Sequence, residues 1–444
     1  MKIAVIGCTH AGTAAVVNAK QLYPDSEITV YERNDNISFL SCGIALSVSN
    51  VVNEPEKLFY NSPENLNNLG INMRMNYDVT DIDMDEKIIT ATNLKTADIV
   101  KEKYDKLILT LGSWPIVPNF EGRNLKNILL CKNYSHAKTI IEKSADAKNV
   151  TVVGAGYIGV ELAEAFEMKG KNVTLVDAED RIMSKYLDKE FTEIAENEFK
   201  NRGVKLALGE KVQRFEGENG IVSKVVTDKG SHEADLVVLC IGFIPSTSLV
   251  KGKLDTLPNG AIIIDEYMRT SVKDVFAAGD CCVVEYNPAR DKRYIPLATN
   301  AVRMGTLVAK NLVNPTLKYM GTQGTSGIKI YDKCIASTGL TEEVAKKTTS
   351  MEIDSVMVSE NHRPEFMPTY KEAIIKLVYD KATRRILGGQ IISDEDLTQH
   401  MNTLSVVIQN NMTIEELAMT DFFFQPHFNK PWSLLNTVAL KALK

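Results

Sequence analysis

Cys42 is the residue whose chemistry most needs explaining. It lies in Ile37–Ser47, ISFLSCGIALS, and the place five residues on, where a redox disulfide partner would sit, is Ser47. A single thiolate can still do two-electron chemistry. It attacks a peroxide O–O bond and becomes a sulfenic acid, which is then reduced back to the thiol. A helix N-terminus beginning around Ser41 and Gly43 would favour that thiolate. His10, taken by itself, reads as a capping or core histidine, although an imidazole titrates near neutral pH and can give a proton to a leaving hydroxide. The seven cysteines are Cys8, Cys42, Cys131, Cys240, Cys281, Cys282 and Cys334, with no C-x-x-C. An odd number argues against a secreted disulfide framework. Cys8, Cys131, Cys240 and Cys334 read as small buried hydrophobes, and Cys281 with Cys282 as packing residues. The six histidines are scattered without zinc-site spacing, so no metal is expected.

The elements that would position this chemistry come in two copies. Lys2–Gly7 is a short apolar strand, GCTHAG turns into a helix running to about Leu22, and SEITVYE is a strand ending at Glu32. The acid falls 20 residues after Gly12, the spacing of a ribose-binding carboxylate. From Lys148 the plan repeats: strand Asn149–Val153, Gly154-Ala-Gly156-Tyr157-Ile158-Gly159, a helix, and a strand ending at Asp177. Gly7 to Gly154 and Gly12 to Gly159 share an offset of 147 residues. Asp105, Gly112 and Pro115 match Asp235, Gly242 and Pro245 in spacing as well. Two such units predict two dinucleotide-binding domains. The first glycine of each motif permits the tight turn, the second lets the backbone approach a pyrophosphate, and the third lets helix and strand pack. In the first copy Thr9 replaces the second glycine. Asp177 favours a free ribose 2′-hydroxyl, hence NADH, while Arg181 nearby keeps some NADPH use open.

TSVKDVFAAGD carries a strand into Gly279 and Asp280. It resembles the second FAD signature of the two-dinucleotide flavoprotein reductases, so the first copy is expected to hold FAD. In the disulfide reductases among them electrons pass from NADH through FAD to a C-x4-C pair, and a C-terminal H-P-T-x-x-E pair supplies acid–base chemistry. Here Ser47 removes the first, and HFNKPW, with Trp432 five residues after His427, lacks the carboxylate of the second. GCTHAGT, NISFLSCGIAL, RPEFM and DFFFQPHF are similar to the family that holds the FAD-dependent NADH oxidases, NADH peroxidases and coenzyme A disulfide reductases. The likeness covers essentially the whole chain. GCTHAGT leans towards the oxidases. Leu46 stands where coenzyme A disulfide reductases typically carry tyrosine, and they usually lack a histidine matching His10.

The resemblance implies a water-forming reaction: two NADH reduce one O2 to two waters through FAD and a Cys42 sulfenic acid, with His10 as acid–base partner. A peroxidase would run only the H2O2 half, and a thiol-disulfide reductase or a non-catalytic FAD/NADH redox sensor stays open. It also implies FAD contacts from Gly7, Thr9, His10, Ala11, Gly12, Glu32, Cys42, Val79, Thr110, Gly112, Ser113, Lys132, Asp280, Leu297, Ala298 and Thr299, with Phe424 reaching a partner subunit's flavin. NADH contacts are implied for Gly154, Gly156, Tyr157, Ile158, Gly159, Asp177, Tyr186 and Gly242.

The expected fold class is α/β, with two Rossmann-like domains and an α+β C-terminal dimerisation domain. The FAD domain would be discontinuous, residues 1–115 and 245–320, with the NAD domain at 116–244 and the dimerisation domain at 321–444. In the last, AIIKLVYDKATRRILGGQIIS reads as a hairpin, followed by helices from about Glu395 and near Thr413. At 444 residues, 44% hydrophobic and 24% charged, the chain can fill several cores. A net charge of -6 with mixed signs gives no basic face for nucleic acid. No apolar run approaches the ~20 residues of a membrane span, and MKIAVIGCTH is too short for a signal peptide. A cytoplasmic homodimer or higher homo-oligomer acting on O2 or H2O2 is expected.

Overall fold

The computed structural model describes residues 1–444. Two five-stranded parallel sheets share the order of four strands and differ in the fifth, at one edge, which comes last in sequence in the first sheet and first in the second. The first has the order Val275–Ala277, Lys106–Leu109, Lys2–Ile6, Glu27–Glu32, Ile71–Met75. The second has Ile128–Leu130, Leu236–Leu239, Asn149–Val153, Asn172–Asp177, Lys205–Leu208. Successive residues Ile3, Ala4, Val5 and Ile6 are all buried, as expected for a parallel strand covered on both faces. The last strand of the first sheet, Val275–Ala277, follows the whole of the second sheet in sequence.

The matched aspartates have the same job in both copies. Asp105 accepts from the Lys2 backbone N–H at 2.6 Å, and Asp235 accepts from those of Lys148 and Asn149 at 3.0 and 2.8 Å. Each ties down the start of its central strand. The matched G-x-x-P segments meet, with Ser113–Pro115 pairing antiparallel to Phe243–Pro245. Each copy also carries a three-stranded antiparallel sheet absent from the sequence reading. One comprises Tyr77–Asp83, Ile88–Asn93 and Ile99–Lys103, the other Val212–Glu218, Ile221–Thr227 and Ser231–Glu233.

The C-terminal region is a five-stranded antiparallel sheet backed by helices. The hairpin Glu372–Asp380 and Ile386–Ser393 forms where its alternating sequence indicates. Thr413 caps the helix Ile414–Ala418 through a capping box. The helix expected from Glu395 begins instead at Gln399. Its N-terminal approach is held by side chains: Ser393 Oγ accepts from the Glu395 N–H and Asp396 Oδ1 from that of Thr398. Such local bonds compete with helix. This sheet is bolted to the second repeat. Lys376, its side chain 3% exposed, is ion-paired with Asp188, Glu190 and Glu342. No helix is long and apolar enough to cross a membrane.

Candidate active site

The first phosphate loop owes its shape to two glycines. Gly7 has φ +89°, and a Cβ there would stand 2.4 Å from Thr110 O. A Cβ on Gly12 would stand 2.2 Å from Gly7 O. Strand end, loop and helix therefore close together only without side chains. Thr110 completes the loop by donating to Ile6 O and Gly7 O at 3.0 and 2.7 Å. Thr9 has φ -96°, so this position does not need the left-handed backbone that favours glycine. The helix His10–Leu22 follows at once, aiming its first N–H groups at the C-terminal edge of the sheet, where an anion is favoured. Ala11 is buried under the helix Ala298–Asn311, whose Gly305 approaches it with no room for a Cβ. Glu32 is 6% exposed. It accepts from the Cys8 N–H at 2.9 Å and from the Asn34 backbone and side chain at 2.9 and 2.6 Å. Burial raises its pKa while these bonds oppose the rise.

Residues far apart in sequence meet beside this loop. Lys132 Nζ donates to Ser113 Oγ at 2.9 Å, and Ser113 Oγ donates to Asp280 Oδ2 at 2.9 Å. Lys132 also lies 3.4 Å from Asp280 and over the Phe243 ring at 4.6 Å. Asp280 follows Gly279, whose φ of +80° turns the chain out of its strand. Tyr294 Oη is buried with no partner and sits close enough to feel the Asp280 charge. Gly112, at φ +67°, has open space before it. Leu297 and Ala298 are half-buried at the start of their helix and Thr299 is exposed. Val79 packs into the core of the first repeat.

His10 is the first residue of its helix. Its ring stacks on Tyr60, centroids 5.5 Å apart and nearly coplanar, and its Nδ1 lies 2.9 Å from Tyr60 Oη. Burial lowers the His10 pKa; Asp280 opposes this and Lys132 adds to it. Burial pushes the Tyr60 hydroxyl up to about 12, which keeps it protonated. Cys42 is solvent-facing within the 3-10 turn Ser41–Gly43. The helix start expected around Ser41 and Gly43 is present, the turn running straight into the next helix. The helix that follows, Ile44–Val48, is five residues long, too short to gather much dipole. Crowding by the surrounding protein pushes the thiol up, Glu161 adds to this, and Lys132 opposes it. Ser47 is buried with its hydroxyl unpartnered. Cys8, Cys131, Cys281 and Cys282 are buried as expected, whereas Cys240 and Cys334 are half-buried.

In the second loop Gly154 has φ +105°, and a Cβ on Gly159 would stand 1.8 Å from Gly154 O. Gly156 differs, with φ -75° and nothing within 4 Å of where its side chain would be. Asp177 accepts from the Ala155 and Glu179 N–H groups at 2.5 and 2.8 Å. Arg181 is not free for a 2′-phosphate, being held by Glu343 and the Ser184 carbonyl. Tyr157 packs against Tyr186 at 4.5 Å and shares a 2.8 Å hydrogen bond with Ser326. Ile158 is half-buried, and Gly242 has φ +113° beside the short antiparallel pair. Phe424 is 48% exposed, in a segment that also exposes Phe423, Phe428 and Trp432. His427 bonds Gln425 and no carboxylate.

Three residues of this site escaped the sequence reading. Tyr60 comes 50 residues after His10 and no motif joins them. Tyr294 precedes its helix in an irregular segment. Glu161 did leave a signal, a carboxylate in the apolar run YIGVELAEAF. It makes no hydrogen bond, and burial followed by Glu164 raises its pKa to about 7.

Two dinucleotides fit these loops: the space before Gly112 and Gly156 is open and Tyr294 Oη has a bond to give. Residues 1–305 match the family model described as pyridine nucleotide-disulphide oxidoreductase, and residues 325–434 match that family's dimerisation domain. The chain is 56% identical to an NADH oxidase of Enterococcus faecalis over 445 residues, covering 100% of both. It is 42% identical to an NADH oxidase of Streptococcus pyogenes, covering 99% of both. The structure of a water-forming NADH oxidase from Lactobacillus brevis bound to NADH is similar at 52% identity and TM-score 0.98, covering 100% of this chain and 98% of that one. An engineered water-forming NADPH oxidase, a mutant of that protein bound to NADPH, matches with the same values. The chain belongs to the pyridine nucleotide-disulphide oxidoreductase family.

Proposed function

We propose that this chain is a water-forming NADH oxidase that depends on FAD. The observation that carries the reading is a lone Cys42 sharing the Lys132 and Asp280 charges with His10, with Ser47 where a second thiol would be. When bound, FAD takes electrons from NADH and delivers them to O2 and to oxidised Cys42. The chain's residues do the rest. The loop Gly7, Thr9, His10, Ala11 and Gly12 receives the FAD pyrophosphate, and Glu32 its adenosine ribose. Thr110, Gly112, Ser113, Lys132 and Asp280 hold the flavin side, with Val79 and the helix start Leu297, Ala298 and Thr299. Gly154, Gly156, Tyr157, Ile158, Gly159, Asp177, Tyr186 and Gly242 receive NADH. Asp177 repels a 2′-phosphate, and the pairing of Arg181 with Glu343 reinforces that choice.

Cys42 as thiolate attacks H2O2, one S–O bond forming as the O–O bond breaks, to give a sulfenic acid and hydroxide. With His10 Nδ1–H donating to Tyr60 Oη, Nε2 takes the proton that the Cys42 thiol loses and gives it to the hydroxide, so water leaves and His10 returns neutral. Two electrons and two protons then return the sulfenic acid to thiol and a second water. Lys132 favours the thiolate by charge, and with Ser47 in place of a cysteine the sulfenic acid cannot condense to a local disulfide.

The division into an FAD domain at 1–115 and 245–320, an NAD domain at 116–244 and a dimerisation domain at 321–444 is part of the reading. So is a homodimer in which exposed Phe424 reaches the partner's flavin. NADH consumed per O2, with catalase added midway, tests the whole. A ratio of about two with no oxygen returned is expected. Cys42→Ser should bring it to about one, with oxygen returned. A wild-type ratio of one, with peroxide in solution, sinks the proposal.

A further inference from the structure

A cavity of about 570 Å³ lies away from both dinucleotide loops, where four turns from separate elements converge. They are the hairpin tip at Arg290, the end of the helix Glu342–Thr348, the turn carrying Asp380, Thr383 and Arg385, and the link at Asn411. Only two of its eleven lining residues are hydrophobic. Arg385 is 7% exposed, yet its guanidinium bonds only neutral groups: Asn411 Oδ1 at 3.0 Å, Pro288 O at 2.8 Å and Met351 Sδ at 3.7 Å. Arg290 donates to the same Asn411 Oδ1 at 3.2 Å. Neither arginine is ion-paired, so two cations share one amide oxygen. The carboxylate in the lining, Asp380, accepts from the Thr383 hydroxyl at 2.6 Å, and its charge partly offsets that of Arg385 without a direct ion pair. Arg290 and Asn411 both hold left-handed backbone, φ 56° and 55°, which costs energy in a non-glycine residue.

Arg290 is exposed and Arg385 buried, and two guanidiniums that share one neutral acceptor leave N–H donors for an anion. Guanidinium forks match tetrahedral oxyanions. The volume lies in the range of small-molecule sites. From this cavity and its unpaired arginines we infer that the cleft binds a phosphate-bearing anion, a site separate from the redox centre.

Isothermal titration of FAD-loaded enzyme saturated with NAD+ tests this, using inorganic phosphate and, separately, ribose 5-phosphate. Filling both dinucleotide sites removes their phosphate loops as competing sites. Saturable binding is expected, weakened about tenfold or more by Arg290→Gln, with NADH oxidation unchanged by that substitution. Tighter binding of ribose 5-phosphate identifies a phosphorylated metabolite as occupant; equal binding identifies the free ion. No saturable binding to the wild type, or equal binding to Arg290→Gln, overturns the inference. Arg385→Lys keeps the charge and loses the fork, so it should weaken binding too; its melting temperature is measured alongside, because Arg385 also holds Pro288 O.

Discussion

The two dinucleotide repeats share the order of four strands and the same loop, yet they differ at several positions that face a ligand. Along the 147-residue offset, Gly7 and Gly12 fall on Gly154 and Gly159, and all four positions are crowded by backbone. Thr9 falls on Gly156, where space is open. His10 falls on Tyr157, each opening its helix. His10 meets Tyr60 in a hydrogen bond that can steer a proton, while Tyr157 is tied to Ser326 of the C-terminal sheet. Ala14 falls on Glu161. What the repeats share is the geometry of chain closure; what they do not share is the chemistry displayed on it.

The sharpest way to break this distinction is to put a methyl group on each kind of glycine. Gly7→Ala forces a side chain into left-handed backbone against Thr110 O. It should cost about 3 kcal/mol and much of the bound FAD, read as a lowered melting temperature and flavin content. Gly156→Ala meets open space, so stability should hold within about 0.5 kcal/mol while the KM for NADH rises. Equal losses of stability would erase the contrast.

Asp177→Ala tests whether the second repeat selects its nucleotide by charge. The NADH to NADPH preference in kcat/KM should fall about tenfold or more, or about 1.4 kcal/mol, with flavin content unchanged. A preference left intact would place selectivity elsewhere.

Glu161 gives the second repeat a pH signature that Ala14 denies the first. Its pKa rises from an ordinary 4.5 to about 7 on folding, chiefly through burial. Between those values the folded chain holds a proton that the unfolded chain has released, so this group costs stability increasingly as pH rises, fully above 7. Glu161→Gln should therefore stabilise the protein more at pH 8 than at pH 5. Discounted for partial exposure, the difference should be about 1–2 kcal/mol, read from urea unfolding of FAD-loaded enzyme. A pH-independent difference would show that the carboxyl ionises freely.

The smallest effect is expected at Thr9. Thr9→Gly restores the motif but adds only unfolded-state freedom, so stability should fall by under about 1 kcal/mol, with FAD still bound. A gain in FAD affinity would mean that Thr9 crowds the cofactor.

Sequence alone determined the repeated strand–loop–helix units, because tight turns need glycine at fixed spacing and buried parallel strands need continuous apolar runs. It also set the absence of a second thiol at position 47, and the aspartates that tie each central strand reveal themselves by spacing. Only the tertiary structure decided the rest. The Tyr60 ring beside His10, the Ser113–Lys132–Asp280 chain and the Arg181–Glu343 pair join residues from separate elements. Their contacts depend on how sheets and loops pack, which no local pattern encodes. The helix start that the sequence suggests at Cys42 is present, but crowding by the surrounding protein and the Glu161 charge, brought in from the second repeat, push the thiol up. Desolvation and Coulomb terms act through space, so they exist only once the chain has folded.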